Sequence, residues 1–151
     1  MRFVKESRIA ATPSEVFDFH ERPGALIRLT PPWEKVRLVE GGDSLQPGSR
    51  AVLEMRLGPL KLHWIAQHTE YIQGTMFADQ QISGPFARWY HRHRFLDDGQ
   101  GGTILRDEVE YEPPFGWIGR LLSAGFLERK LSRMFEYRHE TTKKFLEFKD
   151  S

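Results

Sequence analysis

The sequence contains no cysteine. That absence excludes disulfides, thiolate nucleophiles and Cys-based zinc or iron–sulfur sites together. Any catalysis must rest on His, Asp, Glu, Tyr, Ser, Thr, Lys or Arg. Long apolar runs are missing as well. Nothing approaches the roughly 18 to 20 residues that cross a bilayer, so no membrane span is expected. The opening MRFVKESRIAATPSEVF carries a polar residue every few positions and lacks the apolar core of a signal peptide, which makes a cytoplasmic address the expectation. There is no excess of one charge: 22 Lys and Arg stand against 21 Asp and Glu, a formal +1, and so no global field toward nucleic acid or an anionic membrane. No nucleophile elbow, phosphate loop or dinucleotide fingerprint occurs. The glycine-rich GGDSLQPGS and DDGQGGT both fit hairpin turns, and no cofactor is expected.

What remains, 39% apolar and 28% charged residues in a chain of 151, describes one globular domain over residues 1–151. Residues 2–10 read as a strand. TPSE then opens a helix, with Thr12 as cap, Pro13 at the first helical position and Glu15 completing a capping box. A break at Pro23-Gly24 and a second short helical piece, ALIRL, follow before Pro31-Pro32. From Glu34 to about Tyr111 the chain reads as six strands joined by short turns. In AVLEMRL, Ala51, Leu53, Met55 and Leu57 alternate with Val52, Glu54 and Arg56, the period of a strand with one buried face. The last third places Leu127, Leu131, Met134, Phe135, Arg138, Thr142 and Phe145 at helical spacing, a long helix with an expected interruption near Ala124-Gly125. The fold class is α+β: a seven-stranded curved antiparallel sheet wrapping a long C-terminal helix, with two short helices after strand one. One helix is too little to fill the concave face of seven strands, so a cavity is expected between them.

The capped TPSEVFDF, LTPPW, DQQISGPFARWYHRHRF and GTILRDEVEYEPPFG before the final helix together resemble the SRPBCC (START-like, helix-grip) superfamily, over the whole chain. The likeness is nearest to single-domain members labelled polyketide cyclase/dehydrase-like. It implies a deep hydrophobic cavity under the long helix, in a superfamily that ranges from lipid carriers to cyclases.

WYHRHRF, residues 89–95, is the densest mixture of chemistry in the chain. The turn LDDGQGGT sets Phe95 opposite Leu105, so His93 faces Asp107, His91 faces Val109 and Trp89 faces Tyr111 on one largely apolar face. The other face pairs Arg92 with Glu108 and Arg88 with Glu112, puts Tyr90 beside Glu110, and brings Arg94 against Arg106. Three glutamates across from the arginines leave no uncompensated charge for nucleic acid. His91 and His93 at i and i+2, with Asp107 as an oxygen donor, fall short of a metal site in ligand count, and no metal is expected. The third reading is a ligand cavity in which Trp64, Trp89, His91, His93, Phe95, Asp107, Tyr111 and Arg138 contact a hydrophobic small molecule. His93 oriented by Asp107 would either anchor a ligand oxygen or move a proton, with Tyr111 or Arg138 polarising an oxygen. The bland alternative is a structural pair that pins the hairpin register. Asp79 and Gln81 lie on a central strand with their facing unsettled by pattern; His20, His63, His68 and His139 show no distinguishing spacing. Oligomeric state is left open.

Overall fold

The structure, a computed structural model, describes residues 1–57 and 59–148, without the side chain of Leu57. That side chain, the last in the β3 alternation, therefore lies outside the described residues. Chain order is β1 (Arg2–Ile9), α1 (Pro13–Glu21), α2 (Ala25–Arg28), β2 (Val36–Gly41), β3 (Arg50–Leu57), β4 (Leu60–Ile72), β5 (Met76–Ser83), β6 (Arg88–Asp97), β7 (Thr103–Glu112) and α3 (Gly116–Glu147). The seven strands form one curved antiparallel sheet in the order β1-β7-β6-β5-β4-β3-β2. Short turns make each consecutive pair from β2 to β7 a hairpin, and β1 closes against β7.

Local chemistry explains the starts and stops. Thr12 Oγ1 accepts the Glu15 amide at 3.2 Å while Glu15 Oε2 accepts the Thr12 amide at 3.0 Å, so two otherwise orphaned donors at the head of α1 are satisfied. The β6–β7 turn closes because the Asp98 carboxylate takes the amides of Gln100 and Gly102, with Gly99 and Gly101 in the left-handed region that favours glycine. One expectation fails in α3, which runs unbroken through Ala124-Gly125. A single glycine costs a helix interior only about 1 kcal/mol relative to alanine, too little to break 32 residues.

The helix α3 packs on β1 and β7, at one side of the sheet, and α1 packs on β6. One cluster of buried residues gathers Ile9, Val16, Phe17, Phe19, Phe77, Phe95 and Leu105 under α1; a second gathers Trp89, Val109, Tyr111, Leu131 and Phe135 under α3. Space of about 240 Å³ is left over the middle of the sheet, walled by α2, by Ala51, Leu53 and Met55 of β3, and by α3 from Leu127 onward. The first turns of α3 project an apolar face to solvent, with Phe115, Trp117, Leu121 and Leu122 all at least 73% exposed.

On the inner face the β6–β7 register is Trp89↔Tyr111, His91↔Val109, His93↔Asp107 and Phe95↔Leu105; on the outer face the ion pairs do not follow the register. Arg92 reaches Glu70 (3.3 Å) and Arg88 reaches Glu110 (3.3 Å); Glu112 is taken by Arg120 and the N-terminus, and the Tyr90 hydroxyl donates to Glu70. Long side chains choose the partner they can reach, which is often not the residue directly opposite. The like-charged Arg94 and Arg106 share Glu108, at 3.0 and 2.6 Å.

Candidate functional site

The polar centre of the cavity grows from the strict alternation of β6 and β7, in which every second residue from Trp89 to Phe95 and from Thr103 to Tyr111 is buried. Asp107 is the hub. Its Oδ1 accepts from His91 Nε2 at 2.7 Å and its Oδ2 from His139 Nε2 at 2.6 Å. His139 Nδ1 is left to accept the Ser7 hydroxyl at 2.8 Å. These bonds fix two tautomers. His139 has both nitrogens occupied, and His91, having given its Nε2–H to Asp107, presents Nδ1 as a lone pair on the cavity wall, 4.0 Å from Asp79 Oδ2.

His93 stands between two carboxylates. Its Nε2 is 3.0 Å from Asp79 Oδ2 and its Nδ1 is 3.1 Å from Asp107 Oδ1. The second contact is close enough to feel the charge but out of line for a hydrogen bond, so Nδ1 is a buried nitrogen without a bonded partner. Either neutral tautomer sets a lone pair against a carboxylate oxygen. Only positive charge on the ring relieves both contacts. Burial alone would lower the imidazole pKa, but the carboxylates of Asp107 and Asp79, one against each ring nitrogen, outweigh it and raise His93. His91 moves the other way, lowered by burial and by the neighbouring His93 despite Asp107. Burial would raise Asp107, but hydrogen bonds from His139 and His91 and the close approach of the His93 ring hold it well below the usual carboxylate range. Asp79 is likewise lowered, burial being overcome first by the His93 bond.

Arg138 of α3 faces the same space. Among the described residues it has no carboxylate within ion-pair distance, and its one close partner is the Phe135 ring, 5.7 Å from the guanidinium carbon. Burial lowers its pKa, with the fields of Asp107 and Asp79 opposing. Asp79, His91 and His93 also present one donor atom each within 4.8 Å of one another, and so are the residues able to hold a metal.

Of the residues expected to contact a ligand, Trp64, Trp89, His91, His93 and Arg138 line the cavity. Phe95, Asp107 and Tyr111 do not. Phe95 packs on Phe17 with ring centres 5.1 Å apart, Tyr111 is buried against Phe86 and Trp89, and Asp107 lies behind the histidines. The inward side chains of β7 are roofed by α3, and Phe95 at the far end of β6 by α1, which is why sharing a face did not bring these residues to the cavity. The tight bond to Asp107 belongs to His91, one step diagonal to the register partner His93. Sequence reasoning passed over His139, although it follows Phe135 by four residues on the buried stripe. His20 and His68 also line the cavity, and no spacing signals them. Gln81 is structural: its amide group bonds the backbone N–H and C=O of Phe86 and holds the β5–β6 loop.

The likeness to known proteins agrees with this geometry. The crystal structure of a nucleoside-diphosphate sugar epimerase from Corynebacterium glutamicum superposes with a TM-score of 0.77 at 26% identity over 97% of this chain, which spans 29% of that one. Norcoclaurine synthase from Thalictrum flavum, in complex with dopamine and hydroxybenzaldehyde, superposes at 0.72 with 15% identity, over 100% of this chain and 88% of that one. A START superfamily protein from Mycobacterium smegmatis does so at 0.70 with 13% identity, over 97% of both. The last two show the helix-grip fold alone. No curated protein matches in sequence. The model of one family, described as polyketide cyclase/dehydrase and lipid transport, matches residues 9–139, and to that family, within the SRPBCC superfamily, the chain belongs.

Proposed function

We propose that the protein binds a small hydrophobic or aromatic molecule bearing an acidic group, its body among Trp64, Trp89 and Phe135 and its anion on Arg138. The observation that carries this reading is the buried Arg138 guanidinium on the cavity wall, which among the described residues has no carboxylate at ion-pair distance and stands beside the Phe135 ring. A buried charge without a partner costs several kcal/mol, and an anionic ligand removes that cost. Calorimetric titration with 1-naphthoic acid and with 1-naphthalenemethanol tests it. The acid should bind at least tenfold tighter than the alcohol, and Arg138→Gln should abolish the difference while leaving the alcohol's affinity within a few-fold. Equal affinities in the parent protein would refute the anchor.

A second reading, proton transfer of the cyclase or dehydratase type, is favoured by one observation: His91 is oriented by Asp107 and keeps Nδ1 free on the cavity wall. That is the arrangement of a general base, and the role passes to His91 from the His93 expected in the sequence. On this reading His91→Gln eliminates turnover of a polyketide-like substrate with binding within a few-fold; loss of binding with no turnover to lose would favour the carrier.

A further inference from the structure

We propose that Asp79, His91 and His93 form a site for one divalent transition-metal ion, with an open coordination position facing the cavity. The argument rests on lone pairs. Asp107 takes the Nε2–H of His91 at 2.7 Å, so the Nδ1 of that ring is an acceptor, turned toward Asp79 Oδ2 4.0 Å away. His93 Nε2 approaches the same oxygen at 3.0 Å. When His93 carries its hydrogen on Nδ1, toward Asp107, three acceptors converge with no hydrogen among them: two imidazole nitrogens and a carboxylate oxygen. Such a knot of like ends requires positive charge at its centre. A metal ion bound to all three donors supplies it.

The surroundings suit an ion. Asp107 stands behind both imidazoles, 2.7 Å from His91 and 3.1 Å from His93, the outer-shell carboxylate that orients ligating histidines and raises their basicity. His93 Nδ1, now without a hydrogen-bond partner, would gain one through a small ring rotation toward Asp107. His139 and, through it, Ser7 fix Asp107 in turn. Asp79 and Asp107 together match the two charges of the ion, which leaves Arg138 for an anion. Two nitrogens and one oxygen, with bonds of about 2.0 to 2.2 Å, place donors about 3.4 Å apart around zinc. The present separations bracket that spacing, with all three donors inside 4.8 Å. The donor set suits Zn²⁺, Fe²⁺ or Mn²⁺ and not Ca²⁺ or Mg²⁺, which take oxygen ligands. All three ligands line the cavity, so the open position meets whatever the cavity holds.

The test uses tag-free protein stripped with a chelator and dialysed, then titrated with ZnCl₂ and separately with CoCl₂, without organic ligand. We expect one ion per chain by elemental analysis, micromolar or tighter affinity by calorimetry, and visible d–d bands with cobalt. Asp79→Ala and His91→Gln should each weaken binding at least 100-fold, Asp107→Asn 10- to 100-fold, and His20→Gln, elsewhere on the cavity wall, less than threefold. Absence of uptake by the parent protein overturns the proposal, as does uptake that survives both ligand substitutions. Should a variant fail to fold, the parent's stoichiometry and cobalt spectrum still decide. Repeating the naphthoate titration in excess chelator separates the two readings: retained acid preference with no metal uptake sinks this inference alone, and the reverse sinks only the anionic ligand.

Discussion

His20 shows what burial does to a titratable group whose nearest helpful carboxylate, Asp107, acts only through its field. Its ring is enclosed beside Phe19, Phe77 and Phe95, and Nδ1 donates to the Val16 carbonyl at 2.8 Å. Desolvation drives its pKa down to about 3. The sign of the consequence follows from linkage. Below the ordinary imidazole value of about 6.5 the unfolded chain takes up a proton that the folded chain refuses, so stability falls as pH falls from about 6.5 to about 3. The slope is about 1.4 kcal/mol per pH unit. Urea denaturation at pH 7, 5.5 and 4.5 should therefore show the parent losing about 2 to 3 kcal/mol more than His20→Gln over that range; parallel pH profiles would rule it out. Asp107 illustrates the opposite case, a buried charge with partners on every side. Asp107→Asn leaves His93 and Arg138 facing one carboxylate in place of two, and should cost about 3 to 5 kcal/mol in the same measurement.

At the scale of elements, α3 offers a cleaner test than the sheet. Gly125 sits inside the helix, exposed, with nothing within 4 Å of where a Cβ would stand. Gly125→Ala should stabilise by about 0.5 to 1 kcal/mol, since alanine loses less backbone freedom on folding and meets no clash. At the start of α1 both capping bonds pass through Thr12, and Thr12→Ala should cost about 1 kcal/mol; thermal or urea unfolding reads both. The same elements show what a sequence discloses. The β6–β7 hairpin was legible because period-2 burial and a glycine-rich turn fix register together. The facing of Asp79 was not, because the β4–β5 pairing shifts between Ile65 and Ala66 and again between His68 and Glu70. A bulge inserts a residue and flips the faces beyond it, with no signature in the alternation. The Asp79 contact to His93 and His91 therefore emerges only in three dimensions. His139 was legible in principle, at four residues beyond Phe135, but a histidine on an apolar stripe points to no partner until β7 is laid beneath it.

The molecule as a whole leaves room inside itself, and that follows from its architecture. A seven-stranded sheet curves around one helix, the helix rests on β1 and β7, and the small residues Ala51 and Ala66 on the opposite wall leave about 240 Å³ unfilled. If the cavity serves binding, filling it should strengthen the fold and weaken the function. Ala66→Leu adds three carbons pointing into that space. Each buried methylene stabilises by about 0.8 kcal/mol, so the unliganded protein should gain about 1 to 2 kcal/mol and melt at a higher temperature. The ligand must then compete with the new side chain, and naphthoate affinity should fall at least tenfold. The thermal shift caused by a fixed naphthoate concentration should shrink with it, because ligand stabilisation scales with the logarithm of concentration over dissociation constant. A stabilised variant that binds naphthoate as well as the parent would place the ligand elsewhere on the protein, and a destabilised one would mean that the wall at β4 cannot accept the extra volume.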